Sequence, residues 1–130
     1  IKPIYRLIAQ FIAASFVIFS TGIYLENLGD LFGFGEIYLG VYGIPITIFC
    51  VVGVMNAFNM IDGINGLCAG SALVMMLFTG IASGFIFDSM LVLLIGSMAG
   101  FLVFNLRVMG KKRAVFLGDH GSNFIGFIVA

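Results

Sequence analysis

Two short polar clusters interrupt an otherwise apolar chain, and both contain side chains that could bind a cation or a phosphate. The first cluster occupies residues 56–67, NAFNMIDGINGL, and the second occupies residues 116–122, FLGDHGS. Hydrocarbon does not accommodate carboxylates and carboxamides without partners, so in a membrane protein such groups face water, a bundle interior or a functional site. The default interpretation of both clusters is therefore functional.

The first cluster places its polar groups at regular spacing. Asn56, Asn59 and Asp62 are three residues apart, which puts them along one flank of a helix near its end. Gly63 and Gly66 then allow positive φ angles, or the close approach of another backbone or a ligand. A plainer alternative is that these side chains cap the helix end and bind water, and it carries more weight for Asn56 than for Asp62.

The second cluster precedes an apolar segment. The carboxylate of Asp119 could bind a hard cation such as Mg²⁺, and the free N–H groups of a helix start could hold phosphate oxygens. Ser122 is a candidate N-cap for that helix. Glycine next to Asp or Ser is also ordinary turn chemistry, and by itself His120 is interpreted as a solvated loop residue.

The composition predicts a membrane protein. Of the 130 residues, 62% are hydrophobic and 9% are charged, whereas a soluble domain usually carries about a quarter charged residues. That leaves too little polar surface to enclose a water-soluble core. The net charge of zero argues against a nucleic-acid partner. Cys50 and Cys68 lie in apolar runs without metal-ligand spacing and are interpreted as packing residues.

Charge-free runs of about 20 residues predict helices that cross the bilayer. The fold class expected is an all-α polytopic membrane protein with four complete transmembrane helices, the start of a fifth, and a small periplasmic loop or hairpin within residues 26–42. The predicted helices are 7–24, 43–61, 66–86, 89–108 and 122–130, all in one transmembrane domain. Gly96 and Gly100 form a small-xxx-small pair that favours close helix packing.

The basic residues predict the orientation. All six flank either the first or the fourth predicted helix: Lys2, Arg6, Arg107, Lys111, Lys112 and Arg113. Four alternating crossings bring both groups to one face, which the positive-inside rule makes cytoplasmic. The same topology places Asp62 and Asp119 on that face, although neither residue was used to derive it.

The two clusters resemble signature motifs of the polyprenyl-phosphate N-acetylhexosamine-1-phosphate transferases. The motifs are residues 56–67 and 115–122, VFLGDHGS, and the likeness extends over essentially the whole chain. In detail the chain is most similar to the bacterial undecaprenyl-phosphate N-acetylglucosaminyl-1-phosphate transferases of surface-polysaccharide synthesis. The resemblance implies a multi-pass inner-membrane enzyme of ten or eleven helices with a cytoplasmic active site. It also implies Mg²⁺, with Mn²⁺ as an alternative, and transfer of GlcNAc 1-phosphate from the UDP-sugar to undecaprenyl phosphate with release of UMP.

The resemblance also implies roles for individual residues. Asp119 would be the metal ligand, with Asp62 and Asn59 lining the phosphate and metal centre as catalytic residues. The substrate-binding residues implied on the nucleoside side are Gly63, Ile64, Asn65, Asn105 and Phe116. Phe116 matches an aromatic that stacks on uracil.

Departures from the family pattern leave alternatives open. Asn65 stands where the family usually has Asp, so it keeps the hydrogen-bonding shape and loses a charge. A donor such as UDP-MurNAc-pentapeptide is the alternative within the family. A multispan ion-coupled transporter is the alternative from another class, but it needs polar groups near the middle of the bilayer. Oligomeric state is open, with a homodimer as one option.

The chain is expected to be an internal part of a longer protein. It begins at Ile1, and its last apolar segment stops at Ala130, well short of a span. A paired aspartate upstream and a histidine-containing sugar-recognition loop downstream are the family elements expected outside it. We therefore expect this piece to be inactive by itself.

Overall fold

A computed structural model describes residues 3–85, 87–106 and 115–130, and these residues form five α-helices. The helices are α1 (Pro3–Thr21), α2 (Gly43–Ile61), α3 (Leu67–Ser83), α4 (Ser89–Asn105) and α5 (Gly118–Val129), with a short 3₁₀ turn at Gly40–Tyr42 before α2. The all-helical class predicted from the sequence is confirmed over these residues.

Two of the helical segments are long and apolar enough to cross a membrane. They are Pro3–Thr21 and Gly40–Ile61, with mean hydropathies of 1.6 and 1.9. Leu67–Ser83 and Ser89–Asn105 are also apolar but have only 17 residues each. Of the four complete spans expected from the sequence, two correspond to helices of spanning length and two to shorter apolar helices.

The helix ends follow local backbone chemistry rather than hydropathy. The first helix begins at Pro3, earlier than the predicted residue 7, since proline suits a first turn. It ends before Gly22, which has φ of 69°. The third helix stops at Ser83, because Gly84 adopts φ of 74° as its C-cap. Residue 86, residues 107–108 at the predicted end of the fourth helix, and five of the six basic residues lie outside the described part.

The fifth helix begins four residues earlier than predicted. Gly118 has φ of 70°, which lets the chain turn sharply into α5, and Asp119 then occupies the first turn, where a negative charge suits the helix dipole. The expectation that Ser122 caps this helix is wrong, because Ser122 lies a full turn inside it.

The chain divides into two compact units, residues 1–53 and 54–130, and the boundary falls within α2. In the first unit, the loop after α1 forms a small hairpin with one antiparallel bridge between Asn27 and Tyr38. Leu28 N–H donates to the Ile37 carbonyl at 3.0 Å. Of the two alternatives for this loop, the structure shows the hairpin.

The second unit is built around α3, which packs against α4 and α5. Its core contains Phe58, Cys68, Ala72 and Ile125. The close-packing glycine here is Gly126 of α5, where a Cβ would come within 2.8 Å of the Met55 Cα and 3.2 Å of the Phe58 Cβ. At Gly96 and Gly100, by contrast, no atom of the described residues lies within 4 Å of such a Cβ.

Candidate functional site

Asn59 links the two polar clusters directly. Its Nδ2 donates to Asp119 Oδ1 at 3.3 Å and to Ser122 Oγ at 3.0 Å. An ionised carboxylate can only accept, so the Asn59 atom that faces Asp119 is the amide nitrogen. Side chains 60 and 63 positions apart in sequence therefore meet at the end of α2 and the start of α5.

Asp62 lies at the same meeting point, one residue beyond α2. Its side chain is half-buried, and this burial raises the pKa of its carboxyl above the ordinary value. The negative charge of Asp119 raises the pKa further, while the backbone N–H of Gly118 lowers it by donating a hydrogen bond. The fold thus holds two carboxyls of like charge close enough to repel each other, an arrangement that a cation or a proton would stabilise.

Ser122 is the site residue whose role the sequence did not reveal. It is fully buried, and its hydroxyl lies 3.2 Å from the carbonyl oxygens of both Gly118 and Asp119. Because the hydroxyl donates to these carbonyls of its own helix, its oxygen is oriented to accept from Asn59. The sequence feature that could have predicted this role is its position three residues after Asp119. If the helix begins at Gly118, this spacing places both residues on one side of it.

Asn105, at the end of α4, connects two backbone segments next to this cluster. Its side chain is buried, its Oδ1 accepts from the N–H of Gly66, and its Nδ2 donates to the Val115 carbonyl at 2.8 Å. Gly66 ends the turn that contains Gly63, Ile64 and Asn65. One amide therefore contacts both segments that carry the predicted nucleoside-side residues.

The predicted nucleoside-side residues are otherwise open to solvent. Gly63 and Asn65 are exposed, and the side chains of Ile64 and Phe116 are 65% and 68% exposed. Exposed aromatic and branched aliphatic groups beside buried polar ones offer surface to a planar ligand. His120 is exposed as well, as expected of a solvated residue, but it lies in the first turn of α5 and the expectation of a loop position is wrong.

The donor set at the meeting point suits a hard cation that a substrate also binds. Among the described residues, no group of three or more His, Cys, Asp or Glu side chains could enclose a metal ion. Mg²⁺ is usually held by one or two carboxylates together with substrate phosphates and water rather than by a full protein cage. Two adjacent carboxyls of like charge fit that mode of binding.

Over residues 1–130 the chain matches glycosyl transferase family 4. The chain belongs to this family. The resemblance drawn from the two motifs is therefore confirmed at the level of the family.

Relatives of this family 4 chain carry one recurring name. This chain is 38% identical over 111 residues to the undecaprenyl-phosphate alpha-N-acetylglucosaminyl 1-phosphate transferase of Escherichia coli K12. The aligned region covers 82% of this chain and 30% of that protein. The protein of the same name from Yersinia pestis is 39% identical over 110 residues, with the same two coverages. A Bacillus subtilis protein named as a probable undecaprenyl-phosphate N-acetylglucosaminyl 1-phosphate transferase is 30% identical over 125 residues, 92% of this chain and 33% of its own.

The family 4 chain spans about a third of the length of these relatives. No solved structure matches it. The structure brings Asn59 into contact with Asp119 and places Asp62 near them. It leaves Gly63, Ile64, Asn65 and Phe116 on exposed segments held by Asn105.

Proposed function

We propose that this chain is part of a membrane-bound transferase that moves N-acetylglucosamine 1-phosphate from UDP-GlcNAc to undecaprenyl phosphate. The observation that carries the proposal is the contact of Asn59 with Asp119, beside the half-buried Asp62. The names of relatives at 30–39% identity supply the acceptor and the transferred group. The UDP carrier is what the resemblance of the two motifs implies. Membership of the family makes sugar transfer the class of reaction.

The proposed reaction exchanges one phosphoanhydride for another. An oxygen of the lipid phosphate forms a bond to the sugar-bearing phosphorus of UDP-GlcNAc. The bond between that phosphorus and the bridging oxygen breaks, and UMP leaves with the bridging oxygen and its electron pair. Both reactants are strongly anionic, so positioning and charge stabilisation are the main tasks of the protein.

Asp119 and Asp62 are the residues that would hold Mg²⁺, with Asp119 as the principal ligand. The cation supplies neutralisation of the two anionic phosphate groups as they approach in line. Asn59 would keep the Asp119 carboxylate in place through its 3.3 Å hydrogen bond. An amide donor fixes the orientation of a carboxylate and adds no charge that would compete with the cation.

The nucleoside part of the donor would lie over the exposed segments. Phe116 offers a ring for stacking on uracil, and the turn containing Gly63, Ile64 and Asn65 offers backbone groups to the base and ribose. Asn65 can donate and accept hydrogen bonds but carries no charge, so it is assigned to recognition rather than to metal binding.

The proposed setting is a bacterial inner membrane, with both polar clusters at the cytoplasmic face. A helix of 17 residues is about 26 Å long at 1.5 Å per residue, slightly less than the roughly 30 Å hydrocarbon core. Local thinning of the bilayer or flanking residues can accommodate that difference, so α3 and α4 can still cross. The site would then meet one substrate from the lipid and the other from water.

Transfer of radiolabelled sugar phosphate by membranes that contain the complete gene product tests the proposal. Label from UDP-GlcNAc is expected to enter a lipid fraction, with stoichiometric UMP, only when a divalent cation is present. Matched reactions with UDP-MurNAc-pentapeptide and other UDP-N-acetylhexosamines test the donor. Transfer from UDP-MurNAc-pentapeptide alone would overturn the choice of donor, and no transfer from any UDP-sugar would overturn the reaction.

A further inference from the structure

The side chain of Asn105 bonds the backbone on both sides of the proposed nucleoside site. Its side chain is 6% exposed. A backbone N–H only donates and a carbonyl only accepts, so the contacts with Gly66 and Val115 fix which end of the amide faces each segment. The amide is therefore oriented by the protein itself.

The same place is packed as well as hydrogen-bonded. Gly66 adopts φ of 80°, and a Cβ there would collide with the Leu106 side chain. A larger residue there would be strained by the positive φ and would also require the Leu106 side chain to shift. A packed contact from Leu106 and a hydrogen bond from Asn105, at the end of α4, hold that turn at one end.

The remaining capacity of the amide is hard for a ligand to reach. An asparagine amide could make further hydrogen bonds, but a side chain with so little exposure presents almost no surface. A nucleotide that bound Asn105 directly would have to displace the Gly66 N–H or the Val115 carbonyl. Either displacement would break one of the two hydrogen bonds that orient the amide, which opposes direct binding.

We propose that Asn105 is a positioning residue, which sets the spacing between the turn at residues 63–66 and the segment at residues 115–118 without touching the donor. This inference rests on the proposed function for the identity of the ligand. The two hydrogen bonds of Asn105, here called the strap, rest on the observed contacts alone. The strap pre-orders the two segments that carry Ile64 and Phe116. Losing it adds an ordering cost to donor binding and leaves the carboxylates at the reacting centre in place.

Hydrogen–deuterium exchange of the complete, substrate-free protein in nanodiscs, combined with transfer kinetics, tests the proposal. For Asn105→Ala we expect faster exchange in residues 63–66 and 115–118, a rise of about tenfold in KM for UDP-GlcNAc, and a change in kcat of less than about threefold. Asn105→Asp keeps an acceptor for Gly66 but loses the donor to Val115. Its exchange should therefore rise mainly in residues 115–118.

The matched control is Asn27→Asp, an amide in the other unit whose Nδ2 donates to Glu36 at 2.9 Å. It should leave exchange in both segments and the KM unchanged. A raised KM with unchanged exchange would overturn the proposal in favour of direct contact with the donor, and so would faster exchange with an unchanged KM. If Asn105→Ala does not accumulate, the segment-specific pattern of Asn105→Asp decides. Complete inactivity of the wild-type protein would overturn the proposed function, and exchange alone would then decide the strap.

Discussion

The carboxyl of Glu36, in the loop after α1, and the carboxyl of Asp62, in the second unit, have pKa values shifted in opposite directions. In the loop after α1, Glu36 accepts hydrogen bonds from Tyr38 at 2.5 Å and from Asn27 at 2.9 Å, and these bonds lower the pKa of its carboxyl. In the second unit, burial and the charge of Asp119 raise the pKa of Asp62. One carboxylate is surrounded by donors close to it in sequence, while the other is held beside a like charge brought from far away.

Glu36 and Asp62 differ in where their neighbouring groups come from. Glu36 is satisfied by residues two and nine positions away, which is what a stable hairpin needs. Asp62 and Asp119 are brought together by α2 and α5 at a cost in charge repulsion. Perturbed carboxyls cluster at functional sites, and this supports the proposal that both charges take part in binding the cation.

The largest expected effect is on transfer activity, and it distinguishes Asp119 from Glu36. In the complete protein, Asp119→Asn is expected to lower the transfer of sugar phosphate by at least about a hundredfold, because it removes the principal charge that would hold the cation. Glu36→Gln should leave transfer unchanged. UMP release by membranes with matched protein amounts measures both. Equal losses in the two variants would remove the distinction.

The next effect tests the packing that brings the clusters together. Gly126→Ala is expected to destabilise the protein by about 1–3 kcal/mol, because the new Cβ would press on Met55 and Phe58. Gly96→Ala, on a helix face with no described neighbour within 4 Å, is the control and should stay within about 0.5 kcal/mol. Detergent-solubilised protein followed by circular dichroism during unfolding gives the two values. Similar values would mean that α5 does not rest on α2 as described.

A smaller effect concerns the orientation of Asn59. Ser122→Ala removes the hydroxyl that accepts from Asn59 Nδ2 and is expected to cost about 1 kcal/mol, or about fivefold in kcat/KM. Ser122→Thr keeps the hydroxyl and is the conservative comparison, although its extra methyl must fit a fully buried position. Cation titration of transfer activity measures both. An unchanged cation requirement in Ser122→Ala would show that Asn59 does not depend on Ser122.

The two carboxyls should also give stability opposite pH dependences. Glu36 has a lowered pKa, so its contribution is present above its ordinary pKa and is lost as the pH falls through the lowered value. Asp62 has a raised pKa, so its ionised form costs stability at neutral pH, and that cost is relieved as the pH falls through the raised value. Asp62→Asn should therefore raise the midpoint of thermal unfolding at pH 7 while it lowers transfer.

The control for the pH experiment is Glu36→Gln. It should slightly lower the unfolding midpoint at pH 7, and at acid pH its midpoint should not exceed that of the wild type. Midpoints are compared between about pH 7 and pH 4, a range that covers ordinary carboxyl titration. If Asp62→Asn lowered the midpoint at pH 7, the account of Asp62 as a repelled, half-buried carboxylate would be wrong.

The sequence predicted the helices better than their ends. Long apolar runs without charge indicate helices because no other structure satisfies the backbone in a membrane, and the α2 bounds of 43–61 match the structure. The start of α5 was missed, because a positive φ at Gly118 leaves no trace in hydropathy. Counting crossings and basic residues predicted only that Asp62 and Asp119 share one membrane face, and their convergence at one centre was what the motif resemblance implied.

The hydrogen-bond partners of individual side chains could not be predicted from the sequence. The bond from Asn59 to Ser122 depends on the early start of α5, and the two bonds of Asn105 depend on how α4 ends against the turn after α2. Such contacts join residues 10–63 positions apart and are set by tertiary packing. A motif could therefore identify Asn105 but could not distinguish a nucleotide ligand from a strap.

A double-mutant cycle tests the central claim most directly. Asp62→Asn, Asp119→Asn and the double variant of the complete protein are compared for UMP release from UDP-GlcNAc and undecaprenyl phosphate. If the two carboxyls act as one unit, the double variant will be little worse than the poorer single variant. Losses that simply multiply would show that the two residues act independently and would contradict the account.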